Sequence, residues 1–466
     1  MKKPVLKLAL VTAISFGAFG SHPAFAEPVN PVKASQSIPA FDHKIIQQVN
    51  SENIYRMIEH LSKEPRVAGT ETEDKAVEYI KKQFESYGYQ PEIQEFTFTG
   101  YKPPSSIRLS VDGSDKEWHP ETFTFSVSGK VTGELVDAGK GKKEDFQNIN
   151  ANGKIALIQR GEISFAEKIV HAAEHGAAGV IIYNSEDGAL NGTLGEANDR
   201  YVPAVSLTKE EGEELAAKLQ AGQAVTVSLE ITGAKVEENV SHNVIASKKP
   251  TNKRKATNHI IVVGAHHDSV EKAPGANDDA SGTAMTLELA RVLKDMPTDT
   301  EIRFVTFGAE EVGLLGSRHY VANLPEDELS RVTANFNLDM VGSRDAGDLV
   351  MMTLDGTSNL VTDLAQAASL RLNGEPTPYA QGGRSDHVPF AEAGIPAALF
   401  IHEPLEPWYH TPEDTIDKIS KEKLQDVAEI VGSAVYDAAR FDHKGTKLNK
   451  GKKAKAPHLY HKQNIK

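Results

Sequence analysis

The sequence contains no cysteine. That absence removes disulfide cross-links, thiolate nucleophiles and cysteine-held metals together, so any metal here is bound by histidine and carboxylate. Tryptophan occurs only twice in 466 residues. No internal repeat is present, and beyond the first 26 residues no apolar stretch is long enough to span a bilayer, so no integral membrane association is expected. Positive charge is also scarce. Asp and Glu number 65 against 51 Lys and Arg, and eleven of those bases lie in residues 1–26 and 443–466, which carry no acid. Residues 27–442 therefore hold 40 bases against 65 acids, a charge of −25 where the whole chain has −14. Such a body is a poor match for a phosphate backbone, and no nucleic-acid partner is expected.

What is present is an ordinary globular composition, 39% hydrophobic and 25% charged with 36 Gly and 23 Pro, at a length that suits two or three domains. Met1–Ala26 has a basic start at Lys2, Lys3 and Lys7, an apolar stretch from Leu8 to Phe19, and Ala24-Phe25-Ala26 before Glu27. This pattern reads as a cleaved secretory signal, so a secreted protein is expected. The lysine-rich segment 443–466 reads as a disordered tail that offers a route to cell-wall association.

Between these ends the texture changes twice. Residues 27–104 open with helical patterns separated by the turn-rich Glu64-Pro65-Arg66-Val67-Ala68-Gly69-Thr70 and close on an alternating run with Ile93, Phe96 and Phe98, which suits a strand. Residues 105–235 carry short strand-like runs around a helical segment, Phe165 to His175. Residues 236–442 alternate strands with helices, and Ile260–Gly264, Ile302–Phe307, Asn335–Val341 and Ala397–Ile401 are apolar runs that suit buried strands. A helix is expected over Ser281–Met296 with Met285, Leu289, Val292 and Leu293 on one face. The order implies an α/β fold whose sheet is mostly parallel and flanked by helices.

Sites in such sheets form where strands end. The four runs lead into His266-His267-Asp268 with Asn277-Asp278-Asp279, then Glu310-Glu311, then Asp339, then Tyr409-His410. About nine adjacent acidic pairs are expected by chance from the acid content alone, so Glu310-Glu311 means nothing by itself. An Asp before a helix is by default a cap, the reading kept for Asp279. The argument is convergence, because His or carboxylate stands at consecutive strand ends. His266 and Asp268, two residues apart, face one side of an extended chain while His267 faces away.

These motifs resemble the secreted bacterial di-zinc aminopeptidases of the leucyl and arginyl type, relatives of glutamate carboxypeptidases. Gly153–Gly161, Phe165, Lys168, Ala178–Asn184 and Val202–Val205 resemble the protease-associated domain, a small module inserted in secreted peptidases. The resemblance implies a zinc-exopeptidase-like fold with that module at 105–235. It also implies two zinc ions, with His266 and Asp339 on one, Glu311 and His410 on the other, and Asp278 bridging. Two ions about 3.5–4 Å apart need a shared oxygen ligand, which Asp278 supplies. By the same resemblance Glu310 is the general base, Asp268 supports the metal ligands, and Tyr409 hydrogen-bonds the oxyanion. Asp386 and His387 are expected near the pocket wall or behind the ligands, Arg384 as a weaker substrate contact, and His171 and His175 at the surface.

The implied function is a secreted metallo-aminopeptidase that releases N-terminal residues such as leucine, arginine or lysine from peptides with a free N-terminal amine. A carboxypeptidase of the same fold would need a basic pocket, and no Arg or Lys cluster surrounds the motifs beyond Arg384. A receptor-like binding protein would have lost ligands that this chain keeps. For a glutaminyl cyclase the inserted module would be unusual.

Overall fold

The structure, a computed structural model, describes residues 39–441. The expected signal at 1–26 and the tail at 443–466 lie outside them. Helices α1 (Ala40–Gln48), α2 (Ser51–Leu61) and α3 (Glu71–Ser86) lead into strand β1 (Glu92–Lys102). A second unit follows, built from β2 (Ser106–Val111), β3 (Glu121–Thr122), β4 (Gly129–Asp137), β5 (Ile155–Gln159), α4 (Phe165–Glu174), β6 (Gly179–Tyr183), β7 (Ala204–Leu207), α5 (Lys209–Gln220) and β8 (Thr226–Thr232). The chain returns through β9 (Lys235–Lys248) to β10 (Ile260–His266), α6 (Ala280–Leu293), β11 (Glu301–Phe307), α7 (Leu315–Asn323), α8 (Glu326–Arg331) and β12 (Val332–Leu338). It ends with β13 (Asp348–Thr353), α9 (Leu360–Asn373), β14 (Tyr379–Gln381), α10 (His387–Glu392), β15 (Ala397–Glu403) and α11 (Lys421–Ala439). Among the described residues no helix is long and apolar enough to cross a membrane.

The main sheet has the order β1-β9-β11-β10-β12-β15-β13-β14. Its centre, β11-β10-β12-β15, is parallel, while β1 with β9, β9 with β11, and β13 with β15 are antiparallel. Every residue of β10, β11 and β12 is buried, as strands covered on both faces must be, and this is why they read as unbroken apolar runs. The parallel part is the α/β core expected from sequence. At the edges strands run back antiparallel, so the sheet as a whole is mixed.

Helix α6 departs from the one-sided pattern read for it. Every residue but Arg291 is buried, including Thr286 and Glu288, because the helix lies between the sheet and a second layer formed by α2 and α11. Glu288 is satisfied there, accepting the Asn50 N–H at 2.8 Å and pairing with Arg291 at 2.7 Å. Small residues at the N-terminal end let α6 sit close to the sheet, and a Cβ at Gly282 would overlap the Leu338 carbonyl oxygen.

The second unit has its own seven-stranded sheet, β2-β8-β4-β5-β6-β7-β3, and two hydrophobic clusters, one around Phe123, Phe146 and Phe165 and one around Trp118, Leu215 and Leu229. Lys168 is fully buried in it, with its ammonium donating to the carbonyls of Gly161 (2.7 Å) and Lys140. The unit is joined to the main sheet by β1 and β9, which pair antiparallel from Glu92 with Ile245 to Lys102 with Lys235.

Candidate metal centre

The parallel strands end at one edge of the sheet, and the chain turns sharply there. His266 is the last residue of β10 and its side chain is 1% exposed. Its Nδ1 lies 3.2 Å from the Asp268 carbonyl oxygen and 3.5 Å from Asp268 Oδ1, which leaves Nε2 to face forward. That nitrogen is 3.1 Å from Asp278 Oδ1, 3.6 Å from Asp339 Oδ1 and 3.9 Å from Glu310 Oε2.

After β11, Ala309 takes a positive φ of 53°, and a tight turn follows in which the N–H groups of Gly313 and Leu314 donate to the Glu310 carbonyl at 2.9 and 2.8 Å. This bend lets the adjacent carboxylates of Glu310 and Glu311 diverge. The Asp268 carboxylate holds the bend from behind, accepting the Glu310 N–H on Oδ1 at 3.1 Å and the Glu311 N–H on Oδ2 at 3.2 Å. One buried carboxylate thus faces His266 and holds the glutamate pair.

Asp339 follows β12, one residue past the strand, and Met340 after it has φ 58°. Its Oδ2 accepts from Ser385 Oγ at 2.7 Å, and that hydroxyl in turn accepts from Asn337 Nδ2 at 2.7 Å. Asp278 precedes α6 and points one oxygen at each imidazole, Oδ1 to His266 and Oδ2 to His410, both at 3.1 Å. His410, at φ 58°, also lies 3.1 Å from Glu311 Oε2. The five residues read as ligands therefore form two overlapping groups, His266–Asp278–Asp339 and Asp278–Glu311–His410, with Asp278 common to both.

The remaining positions fall around this cluster. Tyr409 stacks on His410 with ring centroids 3.8 Å apart and is 37% exposed. Asp279 caps α6 by accepting the Gly282 N–H at 2.8 Å, and it also accepts the N–H groups of His266 and Met340 at 3.2 Å each, tying the ends of β10 and β12 together. His267 is turned away into the core, 3.5 Å from the buried Glu73 carboxylate and 3.2 Å from Thr306 Oγ1. Asp386 and His387 are fully buried, and His387 Nε2 lies 2.9 Å from the Gly382 carbonyl oxygen. Arg384 is exposed, near enough for its charge to act on Tyr409. His171 and His175 lie in the second unit, away from this cluster, each with Nδ1 on a backbone carbonyl.

The imidazoles of His266, buried, and His410, half-buried, lie in direct contact with the carboxylates of Asp278, Glu310, Glu311 and Asp339. Burial, with Glu311, Asp386 and Asp339 adding to it, pushes Glu310 well above the carboxylate range, and burial with Asp278 takes Glu311 up to about 7. Burial by itself would depress His266, but Glu310 and Asp339 outweigh it and raise the imidazole well above its ordinary value. Protons are thus standing in for cations. Glu311 Oε1 and Asp339 Oδ1 are buried with no hydrogen-bond partner, one in each of the two groups. The oxygen and imidazole donor set, with these two orphaned oxygens, fits divalent zinc.

Two residues outside the sequence reading support the site. Arg66 is 1% exposed and donates to the carbonyls of His267 (2.7 Å), Leu61 (3.0 Å), Pro274 (2.5 Å) and Gly275 (3.0 Å). Asp414, 1% exposed, lies across the Asp278 turn from it. Neither carries a periodicity or spacing signal. Replacing Arg66 with Met is expected to cost about 3–5 kcal/mol of stability, since it strips four carbonyls and nearby carboxylates of one buried cation. Urea unfolding checks it, and a loss below about 1 kcal/mol would mean that water takes over those carbonyls.

Residues 243–435 match peptidase family M28, and residues 131–215 match the PA domain. Aminopeptidase YwaD of Bacillus subtilis (strain 168) is 38% identical over 475 residues, covering 99% of this chain and 99% of its own. The chain belongs to peptidase family M28. Leucine aminopeptidase 2 of Trichophyton rubrum is 31% identical across 85% of this chain and 80% of its own. Among solved structures, the aminopeptidase from Aneurinibacillus sp. strain AM-1 is 57% identical and superposes with a TM-score of 0.80, covering 89% of this chain and 98% of that one. BSAP, a zinc aminopeptidase from Bacillus subtilis, is 38% identical with a TM-score of 0.69 over 90% of this chain and 100% of that one. This M28 enzyme is a metallo-aminopeptidase with an inserted PA domain, the second unit described above.

Proposed function

We propose that this M28 enzyme is a secreted, two-zinc aminopeptidase that removes the N-terminal residue of peptides carrying a free amine. The observation that carries the reading is Asp278, whose two oxygens each lie 3.1 Å from a different imidazole, His266 and His410. His266 and Asp339 would hold one zinc, Glu311 and His410 the other, with Asp278 shared. When bound, the zinc pair supplies Lewis-acid polarisation of the scissile carbonyl and a water acidified enough to attack.

The chain's own residues do the rest. Glu310 takes the proton from the attacking water and passes it to the leaving amine. Asp268 fixes the tautomer of His266 by accepting a hydrogen bond from its Nδ1–H, and it keeps Glu310 and Glu311 in register through their amides. Burial, with Asp278, Glu311 and Asp339 nearby, keeps the Tyr409 hydroxyl protonated far above neutral pH, so it can donate to a developing oxyanion. The substrate ammonium, two bonds from the scissile carbonyl carbon, would pair with Glu310 and Asp339. Secretion rests on the Met1–Ala26 pattern.

An acetylated substrate loses that charge-assisted pairing and leaves buried carboxylate unpaired, a penalty of several kcal/mol, on the order of 3–5. Leucine or arginine p-nitroanilide should be cleaved, their N-acetylated forms left uncut, and intact casein not cut internally. Comparable rates on acetylated and free substrates would remove the free-amine requirement while leaving the metal site standing.

A further inference from the structure

Of the five chain segments that meet at the cluster, those bearing His266, Glu310–Glu311 and Asp339 end or follow buried central strands and Asp278 precedes the buried helix α6, but His410 comes from the long loop between β15 and α11, residues 404–420. Its side chain is 35% exposed, against 1% for His266. Something other than the sheet must hold this imidazole against Asp278 and Glu311. The loop is tied down at its start by the Gly347 N–H on the Pro404 carbonyl at 2.8 Å and further on by Trp408 Nε1 on Asp345 Oδ2 at 3.0 Å.

Past His410 the tie is of another kind. Asp414 is 1% exposed and receives three successive amides of the turn that carries Asp278. Its carbonyl accepts the Ala276 N–H at 3.2 Å, Oδ1 the Asn277 N–H at 2.8 Å, and Oδ2 the Asp278 N–H at 3.0 Å. Arg66 grips the same turn through Pro274 and Gly275. The turn is thus fixed at both ends. Two residues link it to the loop that bears His410: Glu406, which accepts the Asn277 side-chain amide at 2.7 Å, and Asp414, which holds the backbone of the turn itself.

We infer that Asp414 is a positioning residue that sets the metal affinity of the Glu311–His410 position by fastening the His410 loop to the backbone of Asp278. The inference rests on the two-zinc reading given above. A carboxylate presents two acceptors side by side, which matches two consecutive N–H groups. An amide of the same shape presents one acceptor and one donor, so Asp414→Asn sets an NH₂ group against a backbone N–H and opens one side of the link. The other position shares Asp278 but keeps two ligands held from outside the loop, His266 oriented by Asp268 and Asp339 by Ser385, so it is disturbed less.

The test is cobalt titration of the zinc-free full-length enzyme, followed by visible absorption, alongside zinc content after dialysis. Wild type should take up two equivalents. Asp414→Asn should bind one with an affinity close to wild type and the other 10- to 100-fold more weakly, the usual effect of removing a residue that supports metal ligands. Its activity on leucine p-nitroanilide should recover towards wild type as zinc is raised, which a general loss of structure would not allow. Asp345→Ala, which removes the acceptor of the Trp408 indole N–H in the same loop without touching the turn, should keep both affinities.

Two unchanged constants in Asp414→Asn, an equal weakening of both, activity that stays low once two ions are bound, or the same loss in Asp345→Ala would each overturn the inference. Should Asp414→Asn not fold, Asp414→Glu displaces the same pair of acceptors and is judged by the same constants. Uptake of fewer than two ions by wild type would instead remove the two-zinc reading and this inference with it.

Discussion

Glu310→Gln is expected to lower turnover by roughly 10²–10⁴ while leaving metal content and melting temperature unchanged. The substitution keeps the shape of the side chain and removes only its ability to take a proton. The backbone around it is held independently, by the Asp268 carboxylate on the amides of residues 310 and 311 and by the turn closing on the Glu310 carbonyl. Glu311→Gln has the opposite signature, because its carboxylate lies 3.1 Å from His410 and belongs to the group that shares Asp278. It should lose metal first and activity as a result. Steady-state kinetics beside zinc analysis separates the two. A Glu310→Gln enzyme of near-normal turnover, paired with a Glu311→Gln enzyme that keeps its zinc, would mean the roles of the two glutamates are assigned wrongly.

Removing metal should abolish activity altogether. Asp278, Glu310, Glu311 and Asp339 are each buried or nearly so, and deprotonated carboxylates at such density are tolerated only with compensating cations. Dialysis against a strong chelator leaves protons as the only substitute, and the protonated cluster has neither a base nor a way to polarise a carbonyl. Zinc or cobalt should restore activity, and because the ions bind only the folded arrangement they should also raise the melting temperature. Full activity in protein holding no ion, or only one, would rule out the two-metal mechanism.

The parts of this architecture legible from sequence are those in which one residue type repeats for one physical reason. Strands β10, β11 and β12 are covered on both faces, so they had to be continuously apolar, and their ends stood out as the places where His266, Glu310, Glu311 and Asp339 interrupt that pattern. Other features depend on partners that sequence does not reveal. Helix α6 reads as one-sided from Met285, Leu289, Val292 and Leu293, yet Thr286 and Glu288 are buried too, beneath a second helical layer. Of the two edges, β1 is legible in the alternation of Ile93, Phe96 and Phe98, whereas β14, only three residues long, is too short to carry a pattern. Arg66 and Asp414 were invisible for a deeper reason. Their partners are backbone carbonyls and amides, which every residue presents alike, so no pairing of side-chain types marks the contact.

The β1–β9 ribbon has a consequence for how such a chain is assembled in evolution. Lys102 and Lys235 are cross-strand neighbours, so the polypeptide enters and leaves the PA domain at adjacent points of one ladder. Genetically the module is a cassette in a hairpin. Cutting it out leaves two paired strand ends that a turn of two residues can close, and inserting it only lengthens that turn. Neither event alters strand order or the register of the central strands that carry the metal ligands, so the module is free to be gained, lost or exchanged while the catalytic half stays under its own selection.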